Sequence, residues 1–228
     1  MQDYVALQLE SVRNKIAETA VAAGRDPATV KLVAVTKTFP PETIISAYNA
    51  GQRLFGENRV QELEGKVPAM PADIRWHLIG HLQTNKVRKA VEMAELIHSV
   101  DSERLLCRID AIACELGKRQ RILLELNISG EGTKFGLRNE ADVLPLAEKA
   151  FSMKNVELCG LMTMAPYEVP SGELTRIFSS TRRIRDAVNE RFGCSLPELS
   201  MGMSSDFEAA ISEGATLVRI GTAIFGRR

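Results

Sequence analysis

The sequence has no surplus of either charge: 29 Lys and Arg stand against 29 Asp and Glu among 228 residues. A chain without excess cations has little to displace counterions from a phosphate backbone or to grip an anionic membrane, which argues against both partners. No apolar run approaches the roughly 20 residues that span a bilayer. The first 24 residues are charged throughout and lack a signal-type apolar block. The four cysteines, Cys107, Cys114, Cys159 and Cys194, form no C-x-x-C pair and no ligand spacing, which argues against a zinc or redox site. Cys107 and Cys114 fall seven apart on one face of a helical segment and read as reduced, small hydrophobic residues. Aromatic residues are few, at 5%, with one Trp and three Tyr. What remains, 45% hydrophobic and 25% charged, is an ordinary soluble profile and describes a cytoplasmic, globular chain.

Short apolar runs alternate with longer amphipathic ones. The strand-like runs are Leu32–Lys37, Arg53–Asn58, Ile74–Gly80, Leu96–Asp101, Ile122–Ser129, Val156–Met164, Glu198–Met203 and Leu217–Ile220. Helical stretches lie between them at Pro41–Ala50, Arg59–Lys66, Asn85–Ala94, Glu103–Leu116, Ala141–Ala150, Gly172–Arg191 and Ser205–Ser212. A further helix, about Tyr4 to Ala23, precedes the first strand and is closed by Gly24. Eight strands alternating with helices predict parallel pairing through crossover helices, and so an α/β fold: a single-domain (β/α)8 TIM barrel over 32–226 with an extra helix in 1–24. A doubly wound sheet would show a Gly-rich turn after its first strand, and Thr36-Lys37-Thr38 is not one.

Barrel active sites lie at the C-terminal strand ends. Those ends carry Lys37, Glu57-Asn58, Gly80-His81, Ser99 to Asp101, Asn127, Met162 to Met164, Ser204, and Arg219 to Thr222. Lys37 follows directly on an apolar strand. A buried stem there presents the amine to the barrel mouth, and burial favours the neutral, nucleophilic form that makes a Schiff base with a carbonyl. The plainer alternatives are a lysine that reaches solvent or pairs with Glu57. The loops after strands seven and eight, Gly202-Met203-Ser204-Ser205-Asp206 and Arg219-Ile220-Gly221-Thr222, combine small residues with hydroxyl donors as barrel phosphate sites do. Ser205-Asp206-Phe207-Glu208 also reads as a simple capping box. Amine and anion site together describe a ligand with both an aldehyde and a phosphate. Arg219 between Val218 and Ile220, if inward, is a buried cation in need of an acceptor: a pyridine nitrogen, or Glu57 or Asp206. Arginine keeps its proton, so a pyridine facing it stays neutral, which argues against transaminase-type chemistry.

These residues sit in motifs that resemble the pyridoxal phosphate homeostasis protein family: Val33-Ala34-Val35-Thr36-Lys37-Thr38, Phe55-Gly56-Glu57-Asn58-Arg59-Val60-Gln61-Glu62, and Trp76-His77-Leu78-Ile79-Gly80-His81-Leu82-Gln83-Thr84-Asn85-Lys86. His98-Ser99-Val100-Asp101, Gly132-Thr133-Lys134-Phe135-Gly136, Gly160-Leu161-Met162, Met201-Gly202-Met203-Ser204 and Arg219 to Gly226 continue the match, in order, from about residue 30 to the end. The resemblance implies a barrel like the N-terminal domain of alanine racemase, with pyridoxal 5'-phosphate as cofactor on Lys37 in an internal aldimine. It implies that Ser204 with the Gly221-Thr222 backbone holds the phosphate and that Arg219 meets the pyridine nitrogen. It places Asn58 near the ring substituents, with His77 and Met162 lining the pocket.

The same resemblance implies a carrier or regulator of intracellular pyridoxal phosphate, without established turnover, that passes cofactor to apo-enzymes. Resembling racemases add a β-domain with a catalytic tyrosine and a dimer contact. This chain ends two residues after Gly226, which leaves no room for one and points to a monomer. A racemase needs acid/base groups on both faces of the substrate carbon. Lys37 can serve one face; of Tyr4, Tyr48 and Tyr167, only Tyr167, after the sixth strand, is a reserve for the other. A weak racemase or lyase is the enzyme alternative. A metal hydrolase built on His77, His81, His98 and Asp101 is a third reading, opposed by the absence of ligand spacing. Lys134 beside the mouth is either a second amine for cofactor transfer or a solvated loop lysine. Trp76, Phe207 and the methionines read as core, and Arg182-Arg183-Arg185 as a solvated face.

Overall fold

The computed structural model describes residues 2–129, 135–166 and 168–226; Lys134 and Tyr167 lie outside them. The strands are β1 (Lys31–Val35), β2 (Leu54–Glu57), β3 (Arg75–Leu78), β4 (Leu96–Val100), β5 (Gln120–Leu126), β6 (Val156–Thr163), β7 (Glu198–Ser200) and β8 (Leu217–Ile220). Each pairs in parallel with the next, and β8 closes on β1, giving a single-domain TIM barrel. The helices are α1 (Gln2–Ala22), α2 (Pro41–Asn49), α3 (Val60–Lys66), α4 (Val87–Met93), α5 (Glu103–Glu115), α6 (Glu140–Ser152), α7 (Ser171–Phe192), α8 (Phe207–Ser212) and α9 (Thr222–Phe225). In α1, Val5, Leu9, Val12, Ile16 and Ala20 recur every three or four residues and bury one stripe, which packs against α2, α8 and α9.

Strand alternation sorts the side chains into two rows. Outward residues such as Ala34, Phe55, Trp76, Leu78, Ile97, Ile122, Leu124, Val218 and Ile220 form one core with the helices. Inward residues form a second, smaller core of Val33, Leu54, Leu96, Leu123, Cys159, Met162 and Leu217. Two residues further along the same strands the inward row turns polar, with His98, Glu125 and Arg219, joined by His77 and Ser200, all buried. The barrel is thus plugged by apolar side chains below and lined by polar ones nearer its C-terminal mouth.

Several expected elements are longer than the observed ones at their C-terminal ends. β1 stops at Val35, so Lys37 lies two residues beyond the strand, and β7 stops at Ser200 before the turn at Gly202. The four-residue α9 was not expected. Cys107 and Cys114 are exposed on α5, so they are not core residues. The buried face of that helix is Leu105, Leu106, Ile109, Ile112 and Ala113. The capping box at Ser205 to Glu208 does not form. Asp206 occupies the N-cap of α8 without a side-chain cap bond, and its Oδ1 instead accepts the Met203 N–H at 2.5 Å.

Candidate functional site

The turn that carries Lys37 is held from below by a buried ion cluster. Thr36 Oγ1 donates to Glu57 Oε1 at 2.6 Å, and Lys66 Nζ donates to the same oxygen at 2.6 Å and to the Thr36 carbonyl at 2.9 Å. Lys66 also reaches Glu62 Oε2 at 3.0 Å, and that oxygen accepts the Thr38 N–H at 2.5 Å. The residues on both sides of Lys37 are therefore fixed by one lysine and two carboxylates from β2 and α3. Thr38 adopts φ +63°, a left-handed conformation unfavourable for a β-branched residue, which the cluster holds in place. Glu57 is fully buried, and burial pushes its carboxyl up to about 7 against the opposing pull of Lys66 and Thr36. Its bond to Lys66 replaces the pairings with Lys37 or Arg219 considered from the sequence.

A second network crosses the barrel interior. Arginine can only donate, so Arg219 Nη1 donates to Ser200 Oγ at 2.5 Å, while Nη2 donates to the Thr163 carbonyl at 2.8 Å. Ser200 Oγ also lies 2.9 Å from His98 Nδ1, and His98 Nε2 lies 2.8 Å from His77 Nδ1. The arrangement that satisfies the serine's own proton sends it to His98 Nδ1. His98 then carries its proton on Nε2 and donates to His77 Nδ1. His77 keeps a proton on Nε2, which is buried without a partner among the described residues. Both rings are neutral: burial takes His77 down to about 3 and His98 well below its ordinary value. Burial also lowers Arg219, to about 10, opposed by Asp206 and Glu125, so it stays a cation at neutral pH.

The remaining sequence-predicted residues lie around these networks. Ser204 follows β7, and Gly221 and Thr222 follow β8, where Ser204 Oγ lies 3.4 Å from the Ala223 N–H. Gly202 has φ +94°, and a Cβ there would stand 2.7 Å from the Ala210 Cβ, so the β7–α8 turn is possible only with glycine. A Cβ on Gly221 would stand 3.0 Å from the Val35 carbonyl, so β8 runs close against the end of β1. Asn58 follows β2, half-buried, and Met162 is fully buried on the inward row of β6. Lys37, Ser204, Arg219, Gly221 and Thr222 thus share the C-terminal ends of the three neighbouring strands β7, β8 and β1, with Asn58 next in line. His77 stands apart from this group, inside the barrel against His98. His81 is at the rim, stacked on Phe135 with ring centroids 3.6 Å apart and 3.8 Å from Asp101. Among the described residues no group of three His, Cys, Asp or Glu side chains could hold a metal ion.

Three contributors were missed from sequence: Ser200, His98 as its partner, and Lys66. Ser200 and His98 are detectable as polar residues in the inward register of otherwise apolar strands. Lys66 sits at the end of a helix with an ordinary charged pattern, and nothing local marks it as buried.

An amine at the end of β1, a guanidinium one strand away and a hydroxyl beside small residues can together hold a carbonyl compound that also bears an anionic group and a ring acceptor. That arrangement, in a closed parallel barrel, defines a barrel of the alanine racemase N-terminal type, and the sequence matches the family Alanine racemase, N-terminal domain, over residues 7–228. Within it, the chain belongs to the pyridoxal phosphate homeostasis protein family. It is 42% identical over 222 residues to the Pyridoxal phosphate homeostasis protein of Aquifex aeolicus, covering 97% of each chain. It superposes on PipY of Synechococcus elongatus with PLP bound at a TM-score of 0.85 and 39% identity, covering 97% of this chain and 100% of that one. Alanine racemase of Clostridium difficile shares the fold at a TM-score of 0.77 and 17% identity, with 99% of this chain matching 57% of that one.

Proposed function

We propose that this chain binds pyridoxal 5'-phosphate as a Schiff base on Lys37 and acts in intracellular pyridoxal phosphate homeostasis as a carrier or regulator, without robust catalytic turnover. The observation that carries the reading is the shared position of Lys37, Ser204, Arg219 and Gly221-Thr222 at the ends of β7, β8 and β1. The family supports it, since relatives over nearly the full length are named for pyridoxal phosphate homeostasis and not for a catalysed reaction.

The donor set fits the cofactor. Lys37 supplies the amine for the aldehyde. Ser204 and the backbone around Gly221 and Thr222 take the phosphate. Arg219 has committed two of its five N–H donors to Ser200 and Thr163, which leaves donors for a pyridine nitrogen. Asn58 and Met162 border the ring, and His77 acts from beneath, through His98 and Ser200, on the position of Arg219. When bound, the cofactor supplies an electrophilic carbon and an electron-withdrawing ring; Arg219 keeps that ring nitrogen unprotonated and the withdrawal modest. Of the described tyrosines, Tyr4 is exposed on α1, and Tyr48 on α2 donates to Asp73 Oδ1 at 2.8 Å, so neither is offered as an acid for a racemase. The carrier works as a cytoplasmic monomer that yields its cofactor to apo-enzymes.

The test is an absorbance spectrum of the purified protein before and after borohydride, with Lys37→Ala alongside. A visible band that borohydride abolishes and the variant lacks is expected. No band after incubation with pyridoxal phosphate would overturn the reading, and catalytic racemisation of an added amino acid would replace the carrier by an enzyme.

A further inference from the structure

The Glu125 carboxyl has no part in the reading above, and its Oε2 is buried without a hydrogen-bond partner among the described residues. Glu125 is the penultimate residue of β5, two beyond inward-facing Leu123, and is 5% exposed. β4 pairs with β5 through Val100 and Leu124, so the next residues, Asp101 and Glu125, lie side by side. Val100 and Leu124 both face outward, which turns Asp101 and Glu125 inward, towards the barrel mouth. In a ring of eight strands β5 stands opposite β1, so these two carboxyls look across the mouth from the side facing Lys37.

Among the described residues, the groups around Glu125 leave it without a cationic partner at bonding distance. Asp101 beside it is a like charge, and His81 Nδ1 lies 3.8 Å from its carboxylate. Arg219 attracts it from β8 but donates to Ser200 and Thr163. β4 offers neutral His98, and β6 offers apolar Met162 directly across the register. Burial, reinforced by Asp101 and opposed by Arg219, pushes the Glu125 carboxyl up to about 7. A buried carboxyl kept unpartnered beside a second one costs stability, which marks it as a group kept for a ligand. A compact cation with several N–H donors satisfies both carboxyls at once.

We propose that Glu125 and Asp101 form a subsite for a primary ammonium group across the barrel mouth from Lys37, where Glu125 takes the proton an amine must lose before it can react with a carbonyl. The step is balanced: the ammonium gives one proton to the Glu125 carboxylate, leaving a neutral amine and a carboxylic acid, and no other bond changes. A proton acceptor that titrates near neutrality suits this exchange. The purpose rests on the carrier reading, since amines are the groups that receive an aldehyde held on Lys37; the binding chemistry does not.

The test is calorimetric titration with ethylamine, on the protein before and after loading with pyridoxal phosphate, for wild type, Glu125→Gln and Asp101→Asn. Wild type should bind ethylamine more weakly as pH falls through 7, because protonated Glu125 no longer attracts a cation. Glu125→Gln should weaken binding about tenfold and lose that pH dependence, and Asp101→Asn should weaken it several-fold. Glu125→Gln removes a buried carboxyl and Asp101→Asn a partly buried one, and circular dichroism checks that both variants fold. Equal affinity and an equal pH profile in wild type and Glu125→Gln would overturn the proposal, as would no binding to wild type in either form. If the protein fails to take up pyridoxal phosphate yet binds ethylamine through Glu125, the carrier reading falls and the subsite stands.

Discussion

Lys66 illustrates how a side chain remote in kind from the chemistry can set its geometry. It is buried against Glu57 and Glu62 and bonds the carbonyl of Thr36, one residue before Lys37. Removing one member of a buried ion cluster strands the others, at a cost of about 3 kcal/mol. Lys66→Met should therefore lower stability by that order in urea unfolding and slow borohydride trapping of cofactor on Lys37. Lys66→Arg should recover part of the stability. Thr38→Gly should change stability the other way, by about 1 kcal/mol, since glycine holds φ +63° without strain.

The buried titratable groups give a pH dependence with a definite sign. Glu125 rises from 4.5 to about 7 on folding, so the folded state binds the proton more tightly. Its contribution to stability is full below pH 4.5 and is lost as pH rises through 7. His77 falls from 6.5 to about 3, so its contribution is full above pH 6.5 and is lost as pH falls through that window. The two slopes oppose each other between pH 4.5 and 6.5. Glu125→Gln removes the first. Its stability relative to wild type should be near zero at pH 4.5 and should grow to about 2–3 kcal/mol in its favour by pH 8, measured by denaturant unfolding.

At the level of strands and turns, the strand order and most strand starts were legible because buried parallel strands are continuous apolar runs bounded by helical periodicity. β8 was read as observed, at Leu217–Ile220. The C-terminal ends were less legible, because the strands pass gradually into their loops: β7 ends at Ser200, yet the Met201 N–H still donates to the Leu217 carbonyl at 3.1 Å and the Gly202 carbonyl accepts the Arg219 N–H at 2.9 Å. α9 is too short for a periodicity to exist. The inward register was the neglected signal. Polar residues at His98, Ser200 and Glu125 alternate with outward apolar ones and could have been read as a polar layer beneath the mouth. The β7–α8 turn carries its own test. Gly202→Ala would force a Cβ against Ala210 and Phe207 at a φ unfavourable to alanine. It should cost about 2 kcal/mol or more in thermal or urea unfolding and displace Ser204.

For the barrel taken together, six of the eight predicted cofactor residues lie at the ends of β7, β8, β1 and β2, while Met162 lies in the inward apolar core and His77 in the hydrogen-bonded line with His98. The closed ring explains why residues 185 positions apart, Lys37 and Thr222, can share a site: β1 and β8 are neighbours. No helix among the described residues is long and apolar enough to cross a membrane. Light scattering should return a particle of about one chain, 25.1 kDa, with and without pyridoxal phosphate; a stable dimer would contradict the monomeric carrier.

The most direct measurement is peptide mapping by mass spectrometry after loading with pyridoxal phosphate and reduction with borohydride. A single phosphopyridoxyl group on the peptide containing Lys37 is the predicted result. No label, or label on other lysines with Lys37 unmodified, would contradict the account.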